Sequence, residues 1–68
     1  MMTIRLASQI RKHRKLSNLS QEDLAEILEV SRQTVSAWET GNKSPTLSKI
    51  VDMAELFAVT LDELVFGE

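Results

Sequence analysis

Four residues in one short stretch, Arg32, Gln33, Ser36 and Ala37, have the chemistry to read base-pair edges. A glutamine amide matches adenine N6 and N7, and a guanidinium forks onto guanine O6 and N7 or holds a phosphate. A serine hydroxyl bonds either kind of base, and an alanine methyl can meet a thymine methyl. At about 100° per residue along 32–40, Val35, Trp38 and Glu39 fall on one side of a helix. Gln33, Ala37 and Thr40 point the opposite way, flanked by Ser36, with Arg32 in the first turn. So small and polar an edge suits close approach to a duplex. On spacing alone, the competing reading is an ordinary solvated face.

A second set of side chains suits phosphate. Gln21 opens a helix, where unpaired backbone N–H groups and the helix dipole both attract an anion. Thr34, Thr40, Asn42, Lys43 and Ser44 are donors placed to grip the flanking backbone. Other chemistries fail. His13 is the only histidine and there is no cysteine, so no metal site and no thiol nucleophile is expected. Ser17, Ser20 and Ser31 lack a base and are explained as caps or turns. Asp62 and Glu63 are adjacent, so they diverge around a helix instead of forming an acid/base pair. Trp38 belongs with the core stripe. No catalytic group and no cofactor is expected, and the chain is not expected to be an enzyme.

The elements that position these residues must come from 68 residues, of which 43% are hydrophobic and 26% charged. That balance predicts one globular domain over residues 1–68, with a core too small to frame an active-site cleft. The longest apolar run, Leu56 to Val59, is too short for a membrane span or signal peptide, so a cytoplasmic location is expected. The net charge of −2 argues mildly against nucleic-acid binding, but it hides a gradient. Residues 1–20 carry Arg5, Arg11, Lys12, Arg14 and Lys15 and no acid, giving +5. Residues 21–49 have three bases against five acids, giving −2, and residues 50–68 have five acids and no base, giving −5. One basic and one acidic face follow from such segregation.

Apolar spacing is helical throughout, with no sustained alternation that would suggest strands. Leu6 and Ile10 mark a first helix over roughly residues 3–16. Leu24, Ile27 and Leu28 mark a second, Val35 and Trp38 a third. Leu47, Ile50, Val51, Ala54 and Phe57 mark a fourth, and Leu61, Leu64 and Val65 a fifth. Ser20, Ser31 and Thr46 are placed as N-caps, and Thr60 to Glu63 reads as a capping box. Asn18 and Gly41 suit the left-handed conformation that ends a helix. The second and third helices are separated only by Glu29-Val30-Ser31, and Ala25 is small enough to let them cross closely. This is a helix-turn-helix layout.

Leu19-Ser20-Gln21-Glu22-Asp23-Leu24-Ala25-Glu26, followed by Val30-Ser31-Arg32-Gln33-Thr34-Val35-Ser36-Ala37-Trp38-Glu39-Thr40-Gly41, closely resembles the Cro/Xre-type family of prokaryotic and phage repressors. The likeness runs on through Ser44-Pro45-Thr46 and Leu56 to Leu64. It implies an all-α, compact five-helix bundle of the phage-repressor DNA-binding type, acting as a transcriptional regulator and usually as a dimer on a palindromic operator. It also implies phosphate contacts at Gln21, Thr34 and the loop after Gly41. Two positions depart from the family pattern. Glu29 stands where glycine is common, and His13 where leucine is usual. A positive φ at Glu29 would cost about 1 kcal/mol.

Two charges fall on stripes that should face the core. Arg14 is four residues after Ile10 and Glu39 four after Val35, so they are expected to pair, as the matching residues do in the family. Spare apolar residues at Met53, Phe57, Val65 and Phe66 are candidates for a homodimer contact. The expected partner is double-stranded DNA, read as an inverted repeat by a repressor. The alternative is a protein-interaction module, such as an antitoxin, whose acidic C-terminal third holds a toxin.

Overall fold

The computed structural model describes residues 4–67, which form five helices. These are α1 (Leu6–Leu16), α2 (Gln21–Leu28), α3 (Arg32–Thr40), α4 (Leu47–Phe57) and α5 (Leu61–Phe66). Among the described residues there is no strand, and no helix is long and apolar enough to cross a membrane. The all-α five-helix architecture expected from the sequence is the one observed. None of these helices is long enough to be stable alone in water, so tertiary packing must hold them. Each helix gives one completely buried side chain to a shared core: Ile10, Leu24, Val35, Met53 and Leu64. Trp38, Ala25, Leu28 and Ala54 complete it. α1 packs chiefly on α3 and α5, and α2 packs on α3.

Helix ends follow from local chemistry. Ser20, Ser31, Thr46 and Thr60 each accept a hydrogen bond from the backbone N–H three residues on. Ser20 forms a full capping box with Asp23, since the Ser20 N–H donates back to the Asp23 carboxylate at 2.9 Å. That backbone donor, with help from the Ser20 hydroxyl, holds the Asp23 carboxyl below its ordinary value. Asn18, Glu29 and Ala58 take positive φ, as do Gly41 and Gly67. The short turn between α2 and α3 uses Glu29 at φ 58°, ψ 44°. There the Val30 N–H returns to the Ala25 carbonyl at 2.9 Å. Lys49 on α4 closes the same end of α2 by donating to the Leu28 carbonyl at 2.6 Å, where a cation also favours the dipole.

Three expectations need correction. The first helix begins at Leu6, not near residue 3 (Thr3 lies outside the described residues), and Ile4 and Arg5 precede it. Arg5 supplies no side-chain cap, and its N–H is spent on the Val65 carbonyl at 2.7 Å. Met53 is not a subunit-contact residue. It is completely buried, because α4 turns its Met53–Ala54 edge into the core. Ile27 and Leu47 fit the apolar stripes by spacing, yet they are 50% and 69% exposed. His13, the other departure from the family pattern, stacks on Phe57 with ring centroids 5.8 Å apart.

Glu29 carries left-handed strain that glycine would not. Glu29→Gly is therefore expected to stabilise the fold by about 1 kcal/mol, raising Tm by roughly 4–8 °C in thermal melts followed by circular dichroism.

Candidate nucleic-acid interface

α3 is anchored from beneath by Val35 and Trp38, both buried, which leaves its opposite edge at the surface. Arg32, Gln33, Ser36, Ala37, Thr40 and Asn42 together line one shallow concavity there. The four residues expected to read bases are thus adjacent, and no acidic side chain lines the concavity. Arg32 and Gln33 are exposed, while Ser36 and Ala37 are half-buried.

The residues expected to hold phosphate are arranged less uniformly. Thr40 and Asn42 border the concavity, whereas Thr34, Lys43 and Ser44 do not. The Ala37 carbonyl accepts from the Asn42 N–H at 2.9 Å, the Lys43 N–H at 3.2 Å and the Thr40 hydroxyl at 3.2 Å. The loop therefore offers side chains, not those backbone groups, to a ligand. The Thr34 hydroxyl lies 2.8 Å from the Ser31 hydroxyl, and its N–H donates to the same oxygen. The N–H is thereby committed to the start of α3, whereas the Thr34 hydroxyl can accept from Ser31 and keep its own proton for a ligand.

Beneath this face lies the expected ion pair. Arg14 Nε donates to Glu39 Oε2 at 2.6 Å and Nη2 to Oε1 at 3.1 Å, while Nη1 donates to the Leu19 carbonyl at 2.8 Å. The two side chains are only 10% and 4% exposed. No buried side-chain nitrogen or oxygen among the described residues lacks a partner, so the desolvation cost of the pair is offset by hydrogen bonds. One contact escaped the sequence reading. Gln21 Nε2 donates to Glu39 Oε1 at 3.1 Å, and Gln21 Oε1 lies 3.5 Å from Arg32 Nη1. A polar chain thus runs from the core pair to the outer edge. Gln21 on α2 joins Glu39 and Arg32 on α3, so only the crossing of α2 over α3 reveals it.

A helix-turn-helix family model matches residues 10–64, which include α2, α3 and the turn between them. The chain belongs to the helix-turn-helix family. The Cro/Xre-type likeness read from Leu19 to Gly41 is borne out. The helix-turn-helix chain is 47% identical over 51 residues to the HTH-type transcriptional activator BcrR of Enterococcus faecalis, covering 75% of this chain and 25% of that relative. It is 38% identical over 63 residues to the uncharacterized HTH-type transcriptional regulator MJ0272 of Methanocaldococcus jannaschii, covering 93% of this chain and 96% of the relative. The chain thus spans a quarter of one relative and nearly all of the other. Its fold matches that of the P22 c2 repressor in complex with a synthetic operator, with a TM-score of 0.84. That match has 24% identity and covers 93% of this chain and 96% of the repressor chain. At that identity the likeness is one of fold.

Removing one member of the buried pair strands the other. Arg14→Met is expected to destabilise the helix-turn-helix by about 3–5 kcal/mol in denaturant titrations, and Arg14→Met with Glu39→Leu to recover most of that loss.

Proposed function

We propose that the chain is a sequence-specific regulator of transcription, acting as a repressor that occupies an inverted-repeat operator as a dimer. Residues 1–68 work as one DNA-binding domain in the cytoplasm, with α3 in the major groove. Arg32, Gln33, Ser36 and Ala37 contact base edges. Gln21, Thr34, Thr40, Asn42, Lys43 and Ser44 hold the flanking phosphates. Repression follows from occupancy, since a bound dimer excludes polymerase from overlapping DNA.

The observation that carries this reading is the concavity on α3. Its lining is mostly polar and free of carboxylates, and it lies on the edge of the helix that the core does not use. Membership of a family whose named relatives are transcriptional regulators supports it. Two subunits related by a twofold axis would set two such edges about one helical turn apart, roughly 34 Å. For the subunit contact, the half-buried Phe57, Val65 and Phe66 remain, joined by Leu61 at 44% exposure.

Selection of bound duplexes from a random pool is expected to enrich an inverted repeat. Affinity for it should survive excess random DNA and fall steeply with added salt. Gln33→Ala should flatten the preference at one position per half-site, costing about 1–3 kcal/mol there. Unchanged preference in that variant would remove Gln33 from the reading set. Sedimentation is expected to find a dimer for the wild-type chain and a monomer for Phe66→Glu. Operator affinity in that variant should drop on the order of a hundred-fold or more, through lost avidity.

A further inference from the structure

We propose that a groove between the start of α1 and the loop after α3 binds a small amphipathic carboxylate that weakens operator binding. The regulatory half of this rests on the DNA-reading function above, and the binding half does not. The groove encloses about 390 Å³, within the roughly 300–1,000 Å³ typical of small-ligand sites. Its lining combines two chemistries. Trp38, Pro45 and Ile4 supply apolar surface, while Arg5, Lys43 and Ser44 supply charge and hydrogen-bond donors. No carboxylate is among the lining residues, and among the described residues neither cation belongs to an ion pair. α1 also begins here without a side-chain cap or an acid in its first turn, which adds to the positive potential. An apolar body with one anionic end matches both parts of the lining. A neutral apolar molecule leaves the cations unmatched, and a small inorganic anion leaves the apolar surface in water.

Such a ligand would meet the DNA-binding apparatus at a single loop. Thr40 and Asn42 line the concavity on the reading edge, whereas Gly41, Lys43 and Ser44 line the groove. The loop therefore serves two surfaces with alternating residues. Lys43 and Ser44 are assigned above to operator phosphate, and each donor spent on a carboxylate is lost to the DNA backbone. Trp38 makes a second link, because it lines the groove and also anchors α3 in the core. Occupancy lowers operator affinity, and by linkage the operator lowers affinity for the ligand by the same factor.

Trp38 is the only tryptophan in the chain, so its emission reports the groove without a label. Titration with sodium octanoate is expected to give a saturable change, with octanol and acetate each binding about ten-fold more weakly. Arg5→Glu reverses one cation, while the backbone N–H at that position keeps its bond to the Val65 carbonyl. That variant is expected to bind octanoate on the order of ten-fold more weakly and to select the same DNA sequences as the wild type. Saturating octanoate should lower the operator affinity of the wild-type chain by about ten-fold. Octanol binding as tightly as octanoate, or no saturable change at all, would overturn the proposal. So would a change with inorganic phosphate and none with octanoate, which would leave the groove as a contact for the DNA backbone. Saturation with unaltered operator affinity would overturn the regulatory half. If the wild-type chain bound no DNA, the function above would fall, and the emission titration would still decide the site.

Discussion

The fold turns on one buried pair of charges. Arg14 and Glu39 lie 25 residues apart in sequence, on the two helices that must be fixed against each other before α3 can present a face. Desolvating two ions costs several kcal/mol each, and only near-complete hydrogen bonding offsets it. Here the guanidinium meets both carboxylate oxygens and the Leu19 carbonyl, and the carboxylate also receives the Gln21 amide. Apolar side chains of similar volume would fill the space, but dispersion has little directional preference. A planar fork on a planar carboxylate resists rotation of α3 about its own axis. Such a rotation would carry Gln33 and Ala37 off the surface edge and draw Val35 and Trp38 out of the core.

The rest of the chain is organised so that short helices can be held around that pair. α2, α3 and α5 have 8, 9 and 6 residues, so their unpaired terminal groups are a large fraction of their backbone. Four of the five helices accordingly begin on a serine or threonine cap. Their exits are sharp, through left-handed residues, because a longer turn would let neighbouring helices drift apart. Asparagine and glycine adopt that conformation easily, but Glu29 and Ala58 do not. At Glu29 the cost is tolerated where the turn is also tied by the Val30–Ala25 bond and by Lys49 on the Leu28 carbonyl.

What was legible in the sequence was local or paired by pattern. Ser31 and Thr60 announce helix starts because a cap is a bond between residues three apart. Arg14 and Glu39 announce each other because charges on apolar stripes need partners. The face of α4 was not legible. Its apolar residues crowd around more than one stripe, and α1 and α5 decide which stripe is covered, burying Met53 and leaving Leu47 outside. The true start of α1 depends on a bond from Arg5 to Val65, sixty residues away, which no local pattern records. The contact between Gln21 and Arg32 is of the same kind. The outward edge of α3 was visible as a surface, but the Gln21 contacts beside it were not.

The acidic balance of the chain is compatible with a duplex partner once distance is considered. The net charge is −2, yet electrostatic influence decays over about 8–10 Å at ordinary ionic strength. The protein measures 33 × 24 × 20 Å, several such lengths across. A phosphate near α3 therefore responds to the charges on that side and little to the total. Asp52 and Glu55 on α4, with Asp62 and Glu63 on α5, belong to elements that do not line the concavity, and Arg32 is the charged residue within it. Arg11, Lys12 and Lys15 lie on the exposed stripe of α1, whose far end is joined to the start of α2 through Arg14 and Leu19. In the proposed DNA-binding role, charge segregated in this way would favour approach by the basic side over the acidic α4 and α5. A uniformly basic domain would bind DNA on every face. A divided one offers the face that the buried pair has set.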